Sequence, residues 1–68
     1  MTDSIFKVGV LIREAGYESR YGIITNMPTE DEILRDMREG TRRFAWVQYR
    51  SVNTGKYFLT HIMDLRTV

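Results

Sequence analysis

The sequence predicts an α+β domain with the order β-β-α-β-β, a mostly antiparallel four-stranded sheet with one helix packed on one face. Three observations predict it. A capping box, Thr29 with Glu32, opens a short helix in the middle of the chain. Alternating apolar positions flank that helix on both sides. Asn53-Thr54-Gly55 separates two runs rich in aromatic and β-branched residues, which is how a hairpin reads in sequence.

Residues 1–4 are a polar lead, expected to fray. The first strand is predicted over 5–14, where Phe6, Val8, Val10 and Ile12 alternate and so share a face. Gly9 inside that run predicts a bulge or a close approach of another chain, the bulge being the commoner case. Residues 15–19 form a turn around Gly16, and the second strand follows over 20–26, with Tyr21, Ile23 and Thr25 alternating against Gly22 and Ile24. The two strands make a first hairpin whose loop is too long to fix a register.

Helix 30–39 is the strongest local prediction. The Thr29 hydroxyl can accept from the Glu32 N–H while the Glu32 carboxylate reaches back to the Thr29 N–H. Pro28 and Ile33 occupy the positions of a hydrophobic staple. Glu30, Asp31 and Glu32 complement the positive end of the helix dipole, and Gly40 stops the helix. Its apolar face is only Ile33, Leu34 and Met37, with Arg35, Asp36, Arg38 and Glu39 assigned to solvent.

Strands 42–52 and 56–65 form the second hairpin. A three-residue loop ending in Gly suits a type I turn closed by a G1 bulge, with Gly55 at positive φ. That turn pairs Val52 with Lys56 and sets the remaining register. Phe44 then opposes Asp64, Trp46 opposes Ile62, Gln48 opposes Thr60 and Arg50 opposes Phe58. The other face pairs Ala45 with Met63, Val47 with His61, Tyr49 with Leu59 and Ser51 with Tyr57. The helix is assigned to the face holding Ala45, Val47, Tyr49, Leu59 and Met63. The opposite face, with Phe44, Trp46, Phe58 and Ile62 bordered by Arg50, Lys56 and Asp64, is left uncovered. A strongly curled sheet would instead turn that cluster into core.

Composition narrows the function. Sixty-eight residues make one small globular domain, 1–68, burying only about 60% of the surface its unfolded chain exposes. With no Cys and one His there is no disulfide and no thiolate zinc site. No apolar run reaches the roughly 20 residues that span a bilayer. The polar start does not read as a signal peptide, so the expected location is cytoplasmic, with no membrane contact. A net charge of +1 excludes a strongly basic nucleic-acid glove and an acidic DNA mimic alike. The cations are eight Arg and two Lys, and Arg is the residue of interfaces and bidentate recognition, although a coding bias towards Arg would give the same count.

No catalytic constellation is legible. His61 has no Ser, Cys or carboxylate placed beside it and reads as a half-buried structural histidine. Glu30, Asp31, Glu32 and Asp36 resemble a metal cluster by count alone, and capping accounts for the first three. Lys56 follows Gly55 without a phosphate-cradling pattern. The chain is therefore expected to be no enzyme and to hold no cofactor or metal. An uncovered apolar face carrying Trp and Arg has the composition of a binding hot spot. The partner-binding set is Phe44, Trp46, Arg50, Phe58 and Ile62, with Arg42 and Arg43 at its border.

Small size, absence of Cys and one surplus apolar face resemble the small phage-encoded regulators that dock on host machinery such as bacterial RNA polymerase. The resemblance lies in scale and arrangement over the whole chain, and no functional residue is carried over. It implies a non-catalytic inhibitor, in the host cytoplasm, that binds an RNA polymerase subunit as monomer or weak homodimer and blocks another factor. Two alternatives stand beside it. One is a nucleic-acid-binding module using Arg42, Arg43, Trp46 and Arg50, and the other is a homodimeric structural subunit.

Overall fold

The computed structural model describes residues 5–68; the polar lead 1–4 lies outside them. One antiparallel sheet and one helix make an α+β fold, with five strands rather than the expected four. The strands are β1 (Leu11–Glu14), β2 (Tyr21–Asn26), β3 (Trp46–Ser51), β4 (Tyr57–His61) and β5 (Leu65–Thr67), and the helix is α1 (Glu30–Glu39). A 3-10 turn, Ile62–Asp64, joins β4 to β5.

The strand order β4-β3-β2-β1-β5 puts β4 and β5 at opposite edges. In a flat sheet those edges would stand about 19 Å apart, four strand spacings. The chain from residue 61 to residue 65 reaches only about 14 Å when fully extended. The sheet must therefore curl, and two backbone bonds hold the curl. The Ile62 N–H donates to the Ala45 carbonyl at 3.0 Å, and the Ala15 N–H donates to the Asp64 carbonyl at 2.8 Å. The concave side is the core: Ile12, Ile24, Val47, Tyr49 and Leu65 are buried, with Phe6, Val10, Met27, Phe58 and Ile62 packed against them.

Several expectations hold. Both bonds of the capping box form, between the Thr29 hydroxyl and the Glu32 N–H and between the Glu32 carboxylate and the Thr29 N–H. Gly40 closes the helix in the left-handed region. Gly9, at φ +94°, makes the predicted bulge: it and Val10 both bond to Ile24, two residues against one. Regular pairing of β1 starts only after it, so the strand is shorter than 5–14, and Val8 is exposed instead of inward.

The second hairpin departs from the expected register by one residue. Gly55 does take positive φ, at +74°, but the loop holds four residues, not three. The cause is Ser51. Its hydroxyl accepts the N–H groups of Asn53 and Thr54 at 3.3 and 3.4 Å, drawing Val52 into the turn. The Ser51 N–H then donates to the Lys56 carbonyl at 2.8 Å. The observed partners are Trp46 with His61, Val47 with Thr60, Gln48 with Leu59, Tyr49 with Phe58 and Arg50 with Tyr57. A slip of one turns every side chain of β4 over relative to β3. Phe58 and Ile62 therefore face the core, while Tyr57 and Leu59 face outward.

The helix does not cover a sheet face. It makes little contact with any strand, Leu34 and Met37 are exposed, and its one buried residue is Asp36, which the sequence had assigned to solvent. Ala45, Val47 and Tyr49 are buried by the curl itself, whereas Leu59 and Met63 of the same expected face are exposed.

Candidate partner-binding face

The convex side of the curled sheet carries the side chains that alternate with the core. From β1 and β2 come Leu11, Arg13 and Ile23, and from β3 and β4 come Trp46, Arg50, Tyr57 and Leu59. Leu11, Ile23, Arg50 and Tyr57 form one continuous row across four strands. Leu59 is 65% exposed, Tyr57 60% and Trp46 42%, values belonging to surface and not to a second core. At the turn end this face dips into a shallow depression lined by Ile23, Thr25, Arg50 and Val52.

The indole of Trp46 is not loose. Its Nε1–H donates to the Arg42 carbonyl at 3.1 Å, and the ring stands edge-on to His61 with centroids 5.5 Å apart. A large apolar surface held in one orientation loses little entropy when a partner covers it. Arg50 is similarly tethered, its Nε–H donating to the Gly55 carbonyl at 3.2 Å.

The seven residues expected to share a site are divided by the structure. Trp46 and Arg50 lie on the convex face. Phe58 stacks on Tyr49 at 5.7 Å on the core side, and Ile62 packs on the core too. Phe44 is half-buried under the Arg35 guanidinium, 4.4 Å from its ring centre. Arg42 is bound to Asp64 at 2.8 Å, and Arg43 is exposed next to it. Leu11, Ile23, Tyr57 and Leu59 went unrecognised. For Tyr57 and Leu59 the signal that could have found them is Ser51 directly before Val52-Asn53-Thr54, the start of a serine turn.

Beneath Trp46 lies the most polar point of the interior. Asp36 is 3% exposed and His61 1%, and the His61 Nε2 is 2.7 Å from the Asp36 carboxylate. The same carboxylate accepts the N–H groups of Arg43, Phe44 and Ala45 and the Thr41 hydroxyl, all within 3.0 Å. Burial pushes the Asp36 carboxyl up, but the His61 bond and the three backbone N–H bonds outweigh it. They hold it well below the usual carboxylate range. The expectation that no carboxylate stands beside His61 is thus overturned, and the histidine is fully rather than half buried.

This pair has the geometry of a base and its orienting acid, yet it has no nitrogen to spare. His61 Nδ1 accepts the Met63 N–H at 3.2 Å, so Nε2 carries the proton and donates it to Asp36. The pair latches α1 and the 42–45 segment to the end of β4. Tyr49, buried at the centre of the core, donates its hydroxyl to Glu14 at 2.8 Å; burial, and then that carboxylate, push its ionisation up. Among the described residues no group of three or more His, Cys, Asp or Glu is placed to hold a metal ion. No helix among them is long and apolar enough to cross a membrane. Comparison with known protein families, characterised proteins and solved structures gives no match.

Proposed function

We propose that this protein is a small non-catalytic regulator that docks on a larger protein assembly through the convex face of its curled sheet. The observation that supports the reading is a tethered, exposed Trp46 sharing one sheet face with exposed Tyr57 and Leu59 and an arginine. Aromatic and arginine anchors at the centre of an apolar patch are the residues that dominate binding energy in protein interfaces. Phe44, Phe58 and Ile62 leave the binding set, because they are engaged inside the molecule. Bacterial RNA polymerase is the target class that the resemblance to phage-encoded regulators suggests, with inhibition by occupying a surface that another factor needs.

The test is direct binding of the purified chain to bacterial RNA polymerase, followed by transcription with and without it. Capture from bacterial lysate runs in parallel to find any other assembly. Trp46→Ala and Leu59→Ala should each weaken the interaction, the former by about 2 kcal/mol or more, the scale of a hot spot. Retention of full affinity by both folded variants would remove the convex face from the mechanism.

A further inference from the structure

The charge on the convex face is of one sign. Arg13 and Arg66 stand directly opposite each other across β1 and β5. Arg50 lies in the row Leu11–Ile23–Arg50–Tyr57 of the same face. The five strands contain a single acidic residue, Glu14, and it points inward to the Tyr49 hydroxyl. Away from this face, Arg20, Arg35 and Arg42 each have a carboxylate within 4.0 Å. Among the described residues, Arg13, Arg50 and Arg66 have none, nor do Arg38 and Arg43 elsewhere.

Like charges directly opposite across two strands destabilise a sheet. The Arg13–Arg66 pairing is therefore unfavourable in the free protein, where Arg66 donates to the Met63 and Leu65 carbonyls at 2.8 Å, and an anionic partner would offset that repulsion. Three partner chemistries are open. A second copy related by a two-fold axis would bring this arginine-only face against itself, which the charge opposes. A nucleic-acid strand needs cations along a track and flat rings to stack bases. Rings are present here, Tyr21 opposite Arg13 and Tyr57 opposite Arg50, but aliphatic Leu11 and Ile23 fill the row between them, and a net charge of +1 gives no long-range pull on a polyanion. An acidic polypeptide matches both features, carboxylates for the arginines and apolar side chains for the aliphatic row.

We propose, resting on the docking reading above, that the partner presents an acidic stretch of polypeptide to the convex face. Its carboxylates meet Arg13, Arg66 and Arg50, and its apolar side chains lie on Leu11, Ile23 and Leu59.

The experiment is selection from a random displayed-peptide library on the immobilised full chain, beside selection from a random single-stranded DNA library. Each winner is measured against wild type, the R13E/R66E variant and W46A, all checked for folding by circular dichroism. The expected peptides are enriched in Asp and Glu around Leu or Phe and lose about tenfold or more in affinity on R13E/R66E. Neutral or basic winners, or acidic winners insensitive to R13E/R66E, would overturn the proposal. So would an absence of peptide winners, or DNA winners that bind more tightly than the peptides. Winners sensitive to W46A alone would leave the docking face standing and remove only the acidic partner. Winners indifferent to both variants would remove the face as well.

Discussion

Asp36 of α1 and His61 at the end of β4 share a buried 2.7 Å hydrogen bond, and through it the helix is attached to the sheet. The helix buries no large apolar side chain completely, so this polar latch replaces the usual hydrophobic seam. A half-satisfied buried polar network is worse than an apolar one. Removing either partner should therefore release α1 and the 42–45 segment. His61→Ala is expected to unfold at clearly lower denaturant, with the Trp46 emission altered because its ring neighbour is gone.

The latch sets an acid limit. The Asp36 carboxyl sits below its ordinary range in the folded state, so its contribution to stability is fully present above the unfolded carboxylate pKa of about 4. That contribution is lost as pH falls below this range towards the depressed folded value. Denaturant midpoints measured from neutral to acidic pH should fall in that window for wild type. The Asp36→Asn variant, less stable at neutral pH, should show a shallower fall there.

Neighbouring residues of β4 should behave in opposite ways. Phe58→Ala removes a ring stacked on buried Tyr49 and is expected to cost about 2 kcal/mol or more. Leu59→Ala, on the convex face, should cost about 0.5 kcal/mol or less. The register derived from a three-residue turn requires the reverse order, so one pair of urea titrations decides between the two.

Gly22 is a packing requirement. A Cβ placed there would run into the Arg50 carbonyl oxygen, a backbone atom that cannot move without parting β2 from β3. Gly22→Ala should cost about 1–3 kcal/mol or more, visible as a lower thermal midpoint.

Thr29→Ala should cost about 1 kcal/mol, the usual worth of an N-cap whose bonds are both made. Helical circular dichroism followed through a urea titration checks it, and an unchanged midpoint would mean that the cap contributes nothing here.

Local chemistry was decided by the sequence alone. The capping box of Thr29 and Glu32, the stop at Gly40 and the positive φ of Gly55 each depend on residues within a few positions of one another. Such interactions are the same in any fold that contains the segment, which is why they were legible. The α+β class followed from the same signals. Tertiary structure decided what touches what. The break of the last strand into β4, a 3-10 turn and β5 has no Gly or Pro to announce it between 56 and 67. It is made by His61 capping Met63 and by Ala15 bonding to Asp64, contacts that exist only once the sheet has curled. Asp36 reads as one more charged residue on a polar helix face, and only the meeting of the 41–45 segment with His61 gives it five partners. The binding face turned on one hydroxyl. Ser51 lengthened a turn by a residue, and because strand side chains alternate with a period of two, that residue exchanged Phe58 for Tyr57 and Leu59 beside Trp46.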